Sequence, residues 1–189
     1  MTKADWDWAA EARALERAAA DARPEDRLAF LSQAGEHFAT AGAYDRAVEL
    51  LRSVAEQSGD PDDAASPVLA YALLRAGREE EGRAVAAAAQ RLTDRRADWR
   101  EHRELAGHLD RAGLLPEALA NYDTALALVL RLAEPDAPLP DAPGLRPLSQ
   151  LSEERRTVRE RLGLPPDDHD RAALRRLPAL KRWRLRRSR

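Results

Sequence analysis

Apolar positions recur every three or four residues along most of this chain, which is the spacing of a helix that buries one face. Trp8, Ala12, Leu15, Ala19 and Ala22 share such a face and predict an amphipathic helix over residues 4–21, placed as a cap within 1–24. Between residues 25 and 132, stretches of the same periodicity flank three related phrases: Ala41-Gly42-Ala43-Tyr44, Ala76-Gly77-Arg78-Glu79 and Ala112-Gly113-Leu114-Leu115. The three glycines stand 35 and 36 residues apart. Glycine there can turn left-handed and end one helix before the next begins, so the predicted unit is a helical hairpin used three times. In the middle unit Ser66 precedes Pro67, and the first helix is expected to start there, with serine as cap and proline in first position.

Beyond the third hairpin the pattern changes. Residues 133–147 contain five prolines and predict a linker or extended strap. Leu148, Leu151, Val158 and Leu162 then form a narrow apolar stripe on an otherwise charged helix that Gly163 and Pro165 stop. A stack of hairpins leaves its last face uncovered, so residues 148–177 are assigned as carboxy-terminal capping helices, the second running from about Asp168 to Leu177 before Pro178.

Aligned on the turn glycine, the three units share more than their bends. Ala34-Gly35, Leu69-Ala70 and Leu105-Ala106 occupy one register, followed by Phe38, Leu73 and Leu109. In the second helices the small residue is Ala47, Gly82 or Ala118, then Leu51, Ala86 or Tyr122, then Val54, Ala89 or Ala125. This pattern resembles the tetratricopeptide repeat over roughly residues 28–132. The resemblance implies an all-α, right-handed α-solenoid of about three hairpins with flanking caps. The chain departs from it at the family's tryptophan site, which holds Leu31, Ser66 and His102, and at its closing proline, which is displaced or missing. The middle repeat matches least, since Gly82 and Ala86 are expected to bury little.

Composition narrows the functional classes. Without cysteine there is neither disulfide nor thiolate metal site, and no cofactor is expected. No apolar run is long enough to cross a bilayer, and the amino terminus is acidic where a signal peptide is basic and then apolar, so a cytoplasmic protein is expected. Arginine far outnumbers lysine, a bias of GC-rich bacterial genomes. The net charge of −2 conceals an asymmetry: residues 1–144 carry −10 and residues 145–189 carry +8. The basic tail, 178–189, includes Lys181, Arg182, Trp183, Arg184, Arg186 and Arg187, whose basic and apolar alternation suits a phosphate backbone, an anionic surface, the acidic repeats themselves, or a solvated tail.

Candidate chemistry is sparse. The Asp167-Asp168-His169-Asp170 cluster follows two prolines and precedes a helix, where acids complement the helix dipole, and capping is favoured over a metal site. His102, at the tryptophan site, is expected in the core. Nothing resembles a phosphate-cradling loop or a nucleophile elbow, and no enzyme is expected. The tetratricopeptide resemblance implies that the first helix of each hairpin lines a concave binding face. Its groove positions would be Ser32, Glu36 and Thr40, then Tyr71 and Arg75, then Arg100, Arg103 and Arg111. An arginine strip beside a tyrosine suits an acidic or carboxylate-bearing peptide, because guanidinium presents a planar fork to carboxylates; the alternative is a solvated arginine face. The family's clamp for chaperone tails needs groove asparagines, and the single Asn121 lies on a second helix. The function expected is therefore a scaffold for protein–protein interaction, with nucleic acid or an anionic surface reached through the tail as the alternative.

Overall fold

In the computed structural model the described residues are 7–132 and 145–171, and among them every regular element is a helix. The chain forms two compact units, residues 1–92 and 93–189. The predicted basic tail, the last residues of the second predicted capping helix and most of the proline-rich linker lie outside the described residues.

The first unit opens with α1 (Trp8–Asp21), whose amino end is capped by the Asp7 carboxylate accepting from the Ala10 amide at 2.9 Å. It packs on α2 (Pro24–Thr40), with Ala12 and Ala19 buried and the Trp8 ring edge-on to His37 at 5.1 Å. The first hairpin is α2 with α3 (Tyr44–Ser58); a single helical turn, α4 (Pro61–Ala64), precedes the second, α5 (Pro67–Arg75) with α6 (Glu79–Arg96). Ser66 caps α5 as expected, its hydroxyl accepting from the Leu69 amide. Phe38, Leu50, Leu51, Leu69 and Leu73 form one apolar cluster from α2, α3 and α5. Each such side chain withdrawn from water contributes on the order of 1.5–3 kcal/mol before the entropy of ordering it is subtracted.

The second unit holds the end of α6, α7 (Trp99–Ala112), α8 (Leu115–Leu132), α9 (Leu145–Arg161) and a further helical turn at 168–171. Helices α7 and α8 are the third hairpin, and α9 packs on α8 through Leu148, Leu151 and Val158. The linker estimate was too long at its far end. Helix α9 already begins at Leu145, because Pro147 falls in the first turn, where a missing backbone N–H costs no helical hydrogen bond.

The three hairpin turns are built alike. Gly42, Gly77 and Gly113 have φ of 82°, 78° and 87°. In each, the residue after the glycine donates its amide back across the turn: Ala43 to Phe38, Arg78 to Leu73 and Leu114 to Leu109, all at 2.9 Å. This is the left-handed glycine termination that satisfies a helix's last carbonyls. The helices of a pair then close on small residues. A Cβ on Gly35 would stand 2.7 Å from Leu51 Cγ, and one on Gly82 would stand 2.6 Å from Leu74 Cγ. The second contact corrects the sequence reading of the middle repeat: Gly82 and Ala86 are both buried, and at Gly82 Leu74 from α5 supplies the bulk that α6 lacks.

Two polar networks tie the second unit together. His102 Nδ1 lies 3.0 Å from the Asn121 side-chain oxygen, and both residues are buried, so the tryptophan-site histidine is a core residue as expected. The Arg155 guanidinium, with its side chain 3% exposed, meets Asp123 of α8 at 2.5 Å and Asp170 at 2.7 Å, and also bonds Asp167. The Asp167 and Asp170 carboxylates in turn accept each other's backbone amides. The acidic cluster thus caps its helix as expected and also neutralises a buried arginine, which holds the Asp167 carboxyl far below the usual carboxylate range.

If the first hairpin depends on the close crossing at Gly35, the Gly35→Val variant has to part α2 from α3. Its stability by urea denaturation is expected to fall by about 1–3 kcal/mol, whereas Gly59→Ala, at a left-handed turn with open space around it, keeps the core contacts.

Candidate functional site

The groove residues expected from the sequence fall in both units. In the first, Glu36 and Thr40 belong to one helical turn, the Thr40 hydroxyl donating to the Glu36 carbonyl, and Ser32 is half-buried. Tyr71 stands edge-on to Tyr44 at 5.9 Å, and Arg75 lies 5.4 Å over the Tyr44 ring while its Nε donates to the Tyr44 hydroxyl. Arg75 therefore already has an aromatic and hydrogen-bonding neighbour. Tyr44, Tyr71 and Arg75 thus form a tyrosine and arginine cluster on α3 and α5.

In the second unit the three arginines do converge. Arg100, Arg103 and Arg111 line one open groove of about 490 Å³, formed by α7 with contributions from α8 and α9. At one end Arg100 stacks 4.8 Å over the ring of its neighbour Trp99. At the other, Arg111 donates from Nε to the Gly107 carbonyl at 3.2 Å and from Nη2 to His108 Nδ1 at 2.9 Å. Between them Arg103 is not the solvated cation of the alternative reading. Its Nε and Nη2 grip both oxygens of Glu154, from α9, at 2.8 and 2.5 Å. The fork geometry fits because α9 runs alongside α8 and brings a carboxylate level with the middle of α7.

The floor of the groove is Tyr122 of α8. Its side chain is buried, with 4% of the residue exposed, yet its hydroxyl opens toward the groove beside Gly107: a Cβ at that glycine would lie 3.8 Å from the hydroxyl oxygen. Among the described residues no hydrogen-bond partner meets that hydroxyl. Burial, with the nearby carboxylates of Glu154 and Asp110, pushes the phenol up to about 12, so it keeps its proton and can act as a donor. Burial and the Arg111 charge push His108 down to about 3, so its imidazole is neutral near pH 7. The site thus combines guanidinium groups, an indole face, a protonated phenol and a neutral imidazole. Glu104 and Glu154 offset part of the positive charge.

The alignment identified the three arginines but not what surrounds them. Tyr122 counted only as a large core residue, and Gly107, His108 and Glu154 were not singled out for the groove. The tail residues Lys181, Arg182, Trp183, Arg184, Arg186 and Arg187 lie outside the described residues.

No protein-family model matches the chain, and no curated protein does. Solved structures of MamA are similar in fold: MamA MSR-1 is 16% identical over 95% of this chain and 93% of that one, with a TM-score of 0.47. MamA from Desulfovibrio magneticus RS-1 is 19% identical over 97% of this chain and 98% of that one, with a TM-score of 0.45. With identity and TM-score this low, neither likeness carries weight for function, which rests on the residues themselves.

The neutral imidazole has a measurable consequence. The folded state keeps His108 unprotonated down to about pH 3, while the unfolded chain takes up that proton near pH 6.5. The histidine therefore leaves stability unaffected above pH 6.5 and lowers it as pH falls toward 3. The His108→Gln variant is expected to lose that part of the pH dependence, as read by thermal melts across the range.

Proposed function

We propose that this chain is a non-catalytic, tetratricopeptide-like scaffold that binds an acidic protein segment along α7 of its third hairpin. The observation that carries the reading is the convergence of Arg100, Arg103 and Arg111 on one groove, with the Trp99 ring at its edge and the Tyr122 hydroxyl on its floor. Charged forks give orientation to a carboxylate-bearing segment, and aromatic faces give it area without much loss of side-chain entropy. Partner selection in such a groove comes from charge complementarity more than from raw affinity.

The chemistry of the site also favours binding over turnover. A general base works best with a pKa near the working pH, and His108 is far below it. His102 is engaged with Asn121 in the core. Among the described residues no three histidine or carboxylate groups are placed to hold a metal ion, and no helix is long and apolar enough to cross a membrane.

Affinity capture with the full-length chain tests the reading. An Arg100→Glu/Arg111→Glu variant is expected to lose the captured proteins, while deletion of residues 178–189 is expected to retain them. Loss on deletion alone, together with steep weakening between about 50 and 200 mM salt, would assign binding to the basic tail and overturn the groove.

A further inference from the structure

The groove is already occupied at its centre by a carboxylate from the chain itself. Glu154 meets Arg103 side-on through both oxygens, the arrangement an acidic side chain from a partner would adopt. The two residues are 51 positions apart in sequence, and both stay partly open to solvent, with side chains 36% and 32% exposed. An ion pair of that exposure is a weak tie. Glu154 is therefore held where it can be exchanged. Unlike Arg155, whose burial commits it to Asp123 and Asp170, it is not locked into the fold.

Beside this pair lies a second, independent feature. The Tyr122 hydroxyl is a donor on a residue 96% buried, it faces the groove, and no described residue satisfies it. The hydroxyl oxygen itself is open to the groove, not among the described buried polar atoms that lack a partner, so it can donate to an acceptor that enters there. Gly107 borders that position: a Cβ there would stand 3.8 Å from the hydroxyl oxygen, in van der Waals contact with it. Glycine inside a helix is unfavourable relative to alanine, and here its lack of a side chain leaves the phenol less covered.

Resting on the groove reading above, we propose that Arg103 and the Tyr122 hydroxyl form a receptor for one glutamate side chain of an acidic partner segment, and that Glu154 is its internal surrogate, displaced when the partner docks. The incoming carboxylate takes the Arg103 fork from Glu154 and adds the bond from Tyr122 that Glu154 does not make. That extra charge-assisted bond is what favours the partner over the surrogate. Arg100 with Trp99, and Arg111, flank the receptor along α7 and hold the acidic segment on either side. The surrogate also selects: a segment without a carboxylate at this point has nothing to offer in exchange for Glu154, and remains outside.

The test uses the full chain and a fluorophore-labelled, end-capped peptide of glutamate and alanine, with the same peptide in glutamine and alanine as the control, read by fluorescence anisotropy. Wild type is expected to prefer the glutamate peptide. Tyr122→Phe, which removes only the hydroxyl, is expected to weaken it about tenfold with an unchanged melting temperature. Gly107→Leu, which covers the floor, is expected to abolish it. Glu154→Gln is expected to tighten binding several-fold, because it weakens the competitor; a merely structural role for the pair would weaken binding instead, so the sign discriminates. If Arg100→Glu/Arg111→Glu loses the peptide while the Tyr122, Gly107 and Glu154 variants bind as wild type does, the groove stands and the receptor with its surrogate falls. If wild type binds glutamate and glutamine peptides equally, both readings fall.

Discussion

Everything described here depends on how closely two helices can approach. In each hairpin a left-handed glycine ends the first helix and turns the chain back, and small residues then let the pair close. Gly35 against Leu51 and Gly82 against Leu74 leave no room for even a methyl group. This constraint operates before any function does. In the third hairpin the fully buried Ala106 and Ala118 hold the corresponding places, and the spacing of α7 from α8 decides how far Tyr122 stands below the α7 surface. Interiors packed at this density transmit a misfit rather than absorb it.

A second constraint places α9. A terminal hairpin without a cap would expose its apolar face, and α9 covers part of that face with Leu148, Leu151 and Val158. Its buried Arg155, paired with Asp123 on α8, fixes its position, and the exposed Arg161 reaches Asp110 on α7 as a weaker tie. Buried ion pairs add less to net stability than their number implies, because desolvation offsets much of the attraction, but removing one partner leaves a charge stranded. Such a pair therefore specifies a position more than it strengthens the fold. With α9 so placed, Glu154 can reach Arg103, and the groove acquires its third wall.

The hairpins were legible in the sequence because their signals are local. A glycine between two periodic stretches marks a bend whatever surrounds it, and Ser66 before Pro67 marks a helix start. The middle repeat was misjudged because Gly82 looks poor by itself; its value comes from Leu74, on the opposite helix. Arg155 shows the same limit, although a signal was available. It lies four residues after Leu151 and three before Val158, on the apolar stripe itself, and a charge at a stripe position demands buried partners. Asp167 and Asp170 were noticed for capping, yet their link to that arginine is tertiary. The groove arginines came from the alignment of repeats, whereas Glu154 comes from α9 and Tyr122 from the second helix of its hairpin. Nothing in either local sequence announces a site.

If an acidic segment lies along α7 in the second unit, over Tyr122, its arrival has to perturb the residues that border that hydroxyl. Titrating the isotope-labelled protein with the glutamate and alanine peptide, and following its amide and indole resonances by NMR, tests this most directly. The largest shifts are expected at the Trp99 indole N–H and the Gly107 amide, with smaller ones at Glu154. Shifts confined to the Tyr44, Tyr71 and Arg75 cluster or to residues 178–189, with Trp99 and Gly107 unmoved, would contradict it.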